Sequence, residues 1–316
     1  MRFSEIISPG SSVVREGTLI DPSDDEVLIR VSACGVCASE LHPWHDGMEN
    51  YPVRFGHEPV GVVVAAGRAV GNIRVGQRVT GLFKEAFATE VVARARDLVL
   101  VPDEVADENA LGEPLACLVN ASRRTRIDLG DQVAMVGLGF MGLGMLQLVK
   151  HQGAGNVVAI DVRPEAREHA LALGADAAYH PDDLPQEFLL TEFSQWEQPW
   201  GFDVVIESSG AQSALDLAGK LVRAHGVLSI VGYHQGGPRS VDMKMWNWKA
   251  IDVVNAHVRR RDDLLESMRI GLELERAGKI DLGSLVTHRY GLEGVDQAFG
   301  DLMTKPPGFI KAVIHP

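Results

Sequence analysis

The feature that most constrains this chain is the run Gly137-Leu138-Gly139-Phe140-Met141-Gly142. It follows the apolar segment QVAMV and opens the helical segment FMGLGMLQLVKHQGA. The next apolar segment, NVVAID, ends on Asp161, about 20 residues past the last of those glycines. Strand, tight turn, helix and a second strand ending in an acid form the start of a parallel βαβ sheet. Gly137 permits the turn, Gly139 lets the backbone approach a pyrophosphate, and Gly142 allows helix and strand to pack closely. Phe140 and Met141 complete the turn, and the helix start offers free N–H groups and a positive dipole end to phosphates. Asp161 is placed to bind both ribose hydroxyls and to repel a 2′-phosphate, which favours NAD over NADP. Arg163 supplies the opposing charge. Glycines in such a turn also occur for packing alone, but here the strand, the helix and Asp161 are all in place.

The alternation continues through PEAREHALALGA (helix), FDVVIESSG (strand), QSALDLAGKLVRAHG (helix) and VLSIVG (strand), the pattern of a doubly wound sheet. The first hundred residues differ. EVLIRVSA, PVGVVVAAG, GQRVTGLF and FATEVVAR read as short strands broken by Gly, Pro and Asp. From about residue 259 the texture changes again, to a helix near DDLLESMRIGLELERAG and a last strand, FIKAVIHP. The chain therefore reads as α/β with two domains: a β-rich one from residues 1–118 and 259–316, and an inserted parallel-sheet domain from 119–258. PDDLPQEFLLTEFSQWEQPW reads as an irregular surface excursion, and Trp246 and Trp248 are spaced for one face of a strand.

A net charge of −13 argues against a nucleic-acid backbone as partner and gives no attraction to an anionic membrane. The N-terminus has no apolar signal core, and no run of about 18 apolar residues predicts a membrane span. Three cysteines do not make a disulfide framework, so a cytoplasmic, reducing setting is expected.

Two of the three, Cys34 and Cys37, stand C-x-x-C in SACGVCASELH. A redox dithiol of this spacing opens a helix in a thioredoxin-like unit, but here it lies in a β-rich context. A structural zinc needs two more ligands, and only Cys117 remains. A catalytic zinc needs three protein ligands and an open position. His57 and Glu58 in GHE, and Glu113 in GEPLAC, extend the donor set in that direction.

GVCASELH, GHEPVG, GEPLAC, VGLGFMG and VVAID occur together and in order. On these motifs the chain resembles the zinc-dependent medium-chain alcohol and polyol dehydrogenases over nearly its whole length. The resemblance implies a GroES-like catalytic domain and a Rossmann domain. It implies that Cys37 and His57 bind zinc and that Glu58 and Glu113 share the remaining ligand role. Cys34 and Cys117 then fall at non-ligand positions. Glu40 matches the acid that fixes the histidine tautomer. Ser39 matches the hydroxyl beside the alcohol, and His42 the solvent end of a proton relay that runs through the cofactor ribose. His45 reads as a surface histidine. Many members carry a four-cysteine zinc lobe where this chain has only TGLFKEA, so one zinc is expected.

The implied reaction is hydride transfer between a secondary alcohol and NAD, in the cleft between the domains. Glu113 points to a polyol, sugar or cyclitol-like substrate, and Trp44 lines the pocket or packs in the core. Two competing readings are a zinc-free quinone or enoyl reductase of the same superfamily and an inactive NAD-binding sensor or scaffold. The apolar segment AIDVVNAHV, residues 250–258, reads as an edge strand that pairs with its two-fold mate, giving a homodimer or homotetramer.

Overall fold

The computed structural model describes residues 1–19 and 21–316. The chain forms two compact units, Met1–Cys117 with Arg259–Pro316, and Leu118–Val258.

In the first unit β1 (Arg2–Ser8) and β2 (Ser11–Glu16) form an antiparallel hairpin. There follow β3 (Glu26–Gly35), a one-turn 3₁₀ segment Ala38–Glu40, α1 (Leu41–Asp46), β4 (Glu58–Ala66), β5 (Arg78–Gly81), β6 (Glu90–Arg94) and β7 (Leu98–Leu100). Helix α2 (Gly112–Thr125) carries the chain into the second unit. There the order is β8 (Gln132–Val136), α3 (Phe140–Gln152), β9 (Asn156–Ile160), α4 (Pro164–Ala172), β10 (Ala177–Tyr179), β11 (Phe202–Glu207), α5 (Gln212–Leu221), β12 (Val222–Ile230), α6 (Met243–Lys249) and β13 (Asp252–Asn255). The chain then returns with α7 (Arg261–Arg276), β14 (Val286–Tyr290), α8 (Val295–Thr304) and β15 (Lys311–Ile314).

The main sheet of the first unit has the order β14-β15-β3-β4-β5-β7, with β6 also on β3. The C-terminal strand is thus built into the sheet that carries the N-terminal motifs: Ile314 pairs with Cys34 and Val313 with Gly35. Trp44 belongs to this unit's core. It is 6% exposed, stacks on Phe299 at 5.3 Å, and donates its indole N–H to Asp296 Oδ1 at 3.0 Å. Truncating such a side chain costs about 3–5 kcal/mol.

The second unit is a six-stranded parallel sheet of order β10-β9-β8-β11-β12-β13. Its central strands, VAMV, VVAI and VVIE, are buried along their length, as expected where helices cover both faces. The order reverses between β8 and β11, which opens a crevice at the carboxyl ends of those strands.

Three expectations about this unit need correction. QSALDLAGKLVRAHG is not one helix: α5 stops at Leu221 and β12 begins at once with Val222, paired to Phe202. The buried Lys249 ammonium satisfies the helix-end carbonyls, donating to Gly219, Lys220 and Val222 at 2.7–3.0 Å. Trp246 and Trp248 lie on a helix, because Asp242 caps its first turn by accepting from Met245 N at 2.9 Å. The edge strand is four residues long rather than nine, bounded by Ala250 in the left-handed region and by buried Ala256.

Candidate active site

The turn after β3 and the start of β4 bring together Cys37, His57 and Glu58. One donor atom from each lies within 4.8 Å of the others. Cys37 precedes the 3₁₀ turn Ala38–Glu40, which places Ser39 and Glu40 beside it. Glu40 Oε1 accepts from His57 Nδ1 at 2.8 Å and from Gly56 N at 3.0 Å. That bond fixes the imidazole tautomer and turns Nε2 toward the cluster. Glu58 is 2% exposed. Gly35 is required beside it, since a Cβ there would meet Glu58 Oε2 at 2.0 Å.

These residues fit a zinc ion on their own chemistry. A soft thiolate, an intermediate imidazole and a hard carboxylate together form a donor set that Zn²⁺ accepts. Burial and the Glu58 charge push the Cys37 thiol up. Burial pulls His57 down, but hydrogen bonds to Cys37 and Glu40 outweigh it and carry the imidazole up to about 12. Burial and the Glu58 charge raise Glu113 as well. A divalent cation bound there would displace the protons that Cys37 and His57 hold, favouring the thiolate and the neutral imidazole.

Sequence reasoning missed one member of the site. Lys311, on β15, is 4% exposed, and its Nζ donates to Glu58 Oε2 at 2.5 Å and to Val36 O at 3.0 Å. Burial works against the Glu58 charge, but the Lys311 and His57 charges hold the carboxyl below its usual value. The available signal was a lone lysine inside the apolar run FIKAVI.

The other candidates divide. Ser39 Oγ donates to Cys37 Sγ at 3.2 Å and lies 3.5 Å from His57 Nε2. Glu113, at the start of α2, lies outside the three-residue cluster and accepts from Cys117 Sγ at 3.2 Å. Cys34 is fully buried in the β-sheet core, where burial pushes its thiol well up. His42 is half-exposed and pairs with Asp46 one helical turn on; His45 contacts the same carboxylate.

In the second unit, Gly137 has φ +92°, and a Cβ there would meet Ser209 N at 2.8 Å. Gly142 packs so closely that a Cβ would meet Gly137 O at 2.1 Å. Gly139 caps α3 with no side-chain hydrogen bond and no neighbour within 4 Å of a Cβ, which leaves the helix start open to an anion. Phe140 and Met141 form its first turn. Asp161 Oδ2 accepts from Leu138 N at 2.7 Å, and Oδ1 from Arg163 N at 2.9 Å and Arg163 Nε at 3.3 Å. The acid and the base named at the ribose position are thus an ion pair. The bare turn, helix start and terminal acid fit a dinucleotide.

Residues 23–103 match the family model for the alcohol dehydrogenase GroES-like domain, and residues 141–272 that for zinc-binding dehydrogenases. The chain is 28% identical to sorbitol dehydrogenase of Bacillus subtilis (strain 168), covering 94% of this chain and 92% of that protein. It is 29% identical to D-arabitol-phosphate dehydrogenase of Enterococcus avium, covering 90% and 88%. A crystal structure of a zinc-binding dehydrogenase from Sinorhizobium meliloti 1021, bound to NADP, superposes with a TM-score of 0.86 at 25% identity, covering 100% of this chain and 99% of that one.

Proposed function

Because the chain belongs to the zinc-dependent medium-chain alcohol and polyol dehydrogenase family, we propose that it oxidises a polyhydroxylated secondary alcohol with NAD, using one catalytic zinc. The observation that carries this reading is the Cys37–His57–Glu58 cluster, with Glu40 behind the imidazole. A zinc-free reductase has no use for that donor set. The relatives named for sorbitol and D-arabitol phosphate support a polyol or sugar-like substrate.

Cys37, His57 and Glu58 would hold the metal directly, and Glu113, outside the cluster, would act through water. Zinc supplies positive charge that favours loss of the alcohol proton, and the dinucleotide supplies the hydride acceptor. Ser39, in contact with Cys37 and His57, is placed to receive that proton. His42, half-exposed and oriented by Asp46, returns it to solvent. Asp161 selects a ribose with two free hydroxyls, although its pairing with Arg163 lowers the repulsion a 2′-phosphate would meet. Three free cysteines fit a reducing cytoplasm, and no helix among the described residues is long and apolar enough to cross a membrane.

Metal analysis of the purified chain, combined with a panel of polyols and both dinucleotides, tests the proposal. One zinc per chain and faster reduction of NAD with a polyol are expected; turnover that survives removal of all metal would contradict it.

A further inference from the structure

A second buried polar cluster lies at the carboxyl edge of the parallel sheet. Glu207, the last residue of β11, is fully buried. Its Oε1 accepts from Ser209 N at 2.7 Å, Ser209 Oγ at 2.8 Å and Gly210 N at 2.8 Å. Its Oε2 faces His234 Nε2 at 2.9 Å. On the far side of the ring, Arg239 Nε donates to His234 Nδ1 at 3.2 Å. The same guanidinium donates to the carbonyls of Gly210, Gln235 and Gly237. A bare Nδ1 facing a donor and an Nε2 facing a carboxylate define one neutral tautomer of His234, held between an anion and a cation.

The chain joins two loops. One is the turn after β11, Glu207–Gly210, which braces the glycine turn: Ser208 Oγ donates to Gly137 O at 2.6 Å. The other is the Gly-rich loop after β12, residues 231–242, whose Gly236 and Gly237 have positive φ and no neighbour within 4 Å of a Cβ. That loop begins tied to β11, since Val231 N and Gly232 N both donate to Glu207 O. Beyond Gly232 the side-chain ties to Glu207 and Arg239 hold its middle, and Gln212 holds Ser240 near its end through two hydrogen bonds.

Strand order says what this loop faces. The acid for the adenosine ribose follows β9 and the phosphate turn follows β8, so the second half of a bound dinucleotide continues over the ends of β11 and β12. Resting on the dinucleotide reading above, we infer that Glu207, His234 and Arg239 form a strut that fixes the 231–242 loop in the shape required by the nicotinamide half of the cofactor. They act as positioning residues.

The test compares NADH with ADP-ribose, which lacks the nicotinamide, in titrations of the holoenzyme. His234→Ala should weaken NADH binding by about tenfold and leave ADP-ribose within about twofold. His234→Gln, whose amide can still donate to Glu207, should recover most of the NADH affinity. Arg239→Ala should show the same selective loss and decides the matter if His234→Ala does not fold. Equal weakening of both ligands, or of neither, overturns the strut. A wild-type chain that binds neither ligand overturns the dinucleotide reading itself, and the strut with it.

Discussion

The Lys311 ammonium lies 2.5 Å from Glu58 Oε2, and neither side chain is more than 5% exposed. A strand from the end of the chain thus supplies a permanent counter-charge to an acid of the candidate metal cluster. Two charges removed from water are tolerable only as a pair, so removing one partner leaves the other uncompensated. Lys311→Met should lower the stability of the metal-free chain by about 3–5 kcal/mol, read by urea unfolding. Lys311→Met/Glu58→Leu should recover most of that loss. Equal destabilisation by the single and double variants would show that the charge pairing is not the cause.

Cys37 and Cys34 separate in the same way as their surroundings. Cys37 sits in the donor cluster and Cys34 in the apolar sheet core. Cys37→Ser should abolish tight zinc binding and turnover. Cys34→Ser should leave both near wild type while costing about 1–3 kcal/mol through the buried hydroxyl. Metal content and activity of the two variants decide it, and identical behaviour would contradict the assignment.

The Asp161–Arg163 ion pair sets opposing charges at the proposed ribose position. Asp161→Ala removes ribose acceptors and negative charge together, so the ratio of kcat/KM for NAD over NADP should fall by about tenfold or more. A wild-type chain that prefers NADP would show that Arg163 dominates.

Glu275 gives the stability of the first unit a pH dependence. Burial raises its carboxyl to about 7 against the bonds from Leu282 N and Asn109, and the nearby Asp281 charge adds to the rise. The folded state therefore holds this proton more tightly than the unfolded chain. The stability it contributes is complete below pH 4.5 and is lost as pH rises toward about 7. With partial solvent screening the loss is about 1–2 kcal/mol. Glu275→Gln should flatten this part of the Tm–pH curve, and an unchanged slope between the two chains would count against it.

Strand β13 has its outer edge open among the described residues, with Val253 45% exposed. Nearby Phe193 packs its ring on Trp248 while remaining 63% exposed. Asp252 and Asn255 flank the two valines, and an open edge of this kind is stable when paired; two-fold pairing with a second copy would satisfy its hydrogen bonds. Sedimentation should show a homodimer or tetramer that Val253→Pro weakens, because the Val254 and Ala256 N–H groups face β12 and that of Val253 faces the open edge. A monomeric wild type would show that this edge stays uncovered.

The parallel sheet was legible because its strands are apolar runs and its turns carry glycines with no steric alternative, as at Gly137. The grouping of Cys37, His57 and Glu58 was legible because the short motifs that carry them, GVCASELH and GHEPVG, resemble those of one family. Lys311 and the Glu207–His234–Arg239 chain were not, because their partners lie far away in sequence and their meaning depends on which strands become neighbours. The α5–β12 boundary was misread for a related reason. The residue that ends the helix, Lys249, comes from another helix, and no local signal at Leu221 announces it. Trp246 and Trp248 misled through their i, i+2 spacing, which matches a strand, while the cap at Asp242 set the helix.

Hydride transfer with a zinc ion held by Cys37, His57 and Glu58, as proposed above, makes activity depend on the metal. The most direct measurement is zinc per chain and polyol-dependent NAD reduction on the same preparation, before chelation, after it, and after zinc is restored. One zinc per chain, loss of activity with the metal and recovery on its return are predicted. Full activity in the zinc-free chain, or a zinc-loaded chain that reduces neither NAD nor NADP with any polyol, would rule out zinc-assisted polyol oxidation at these residues.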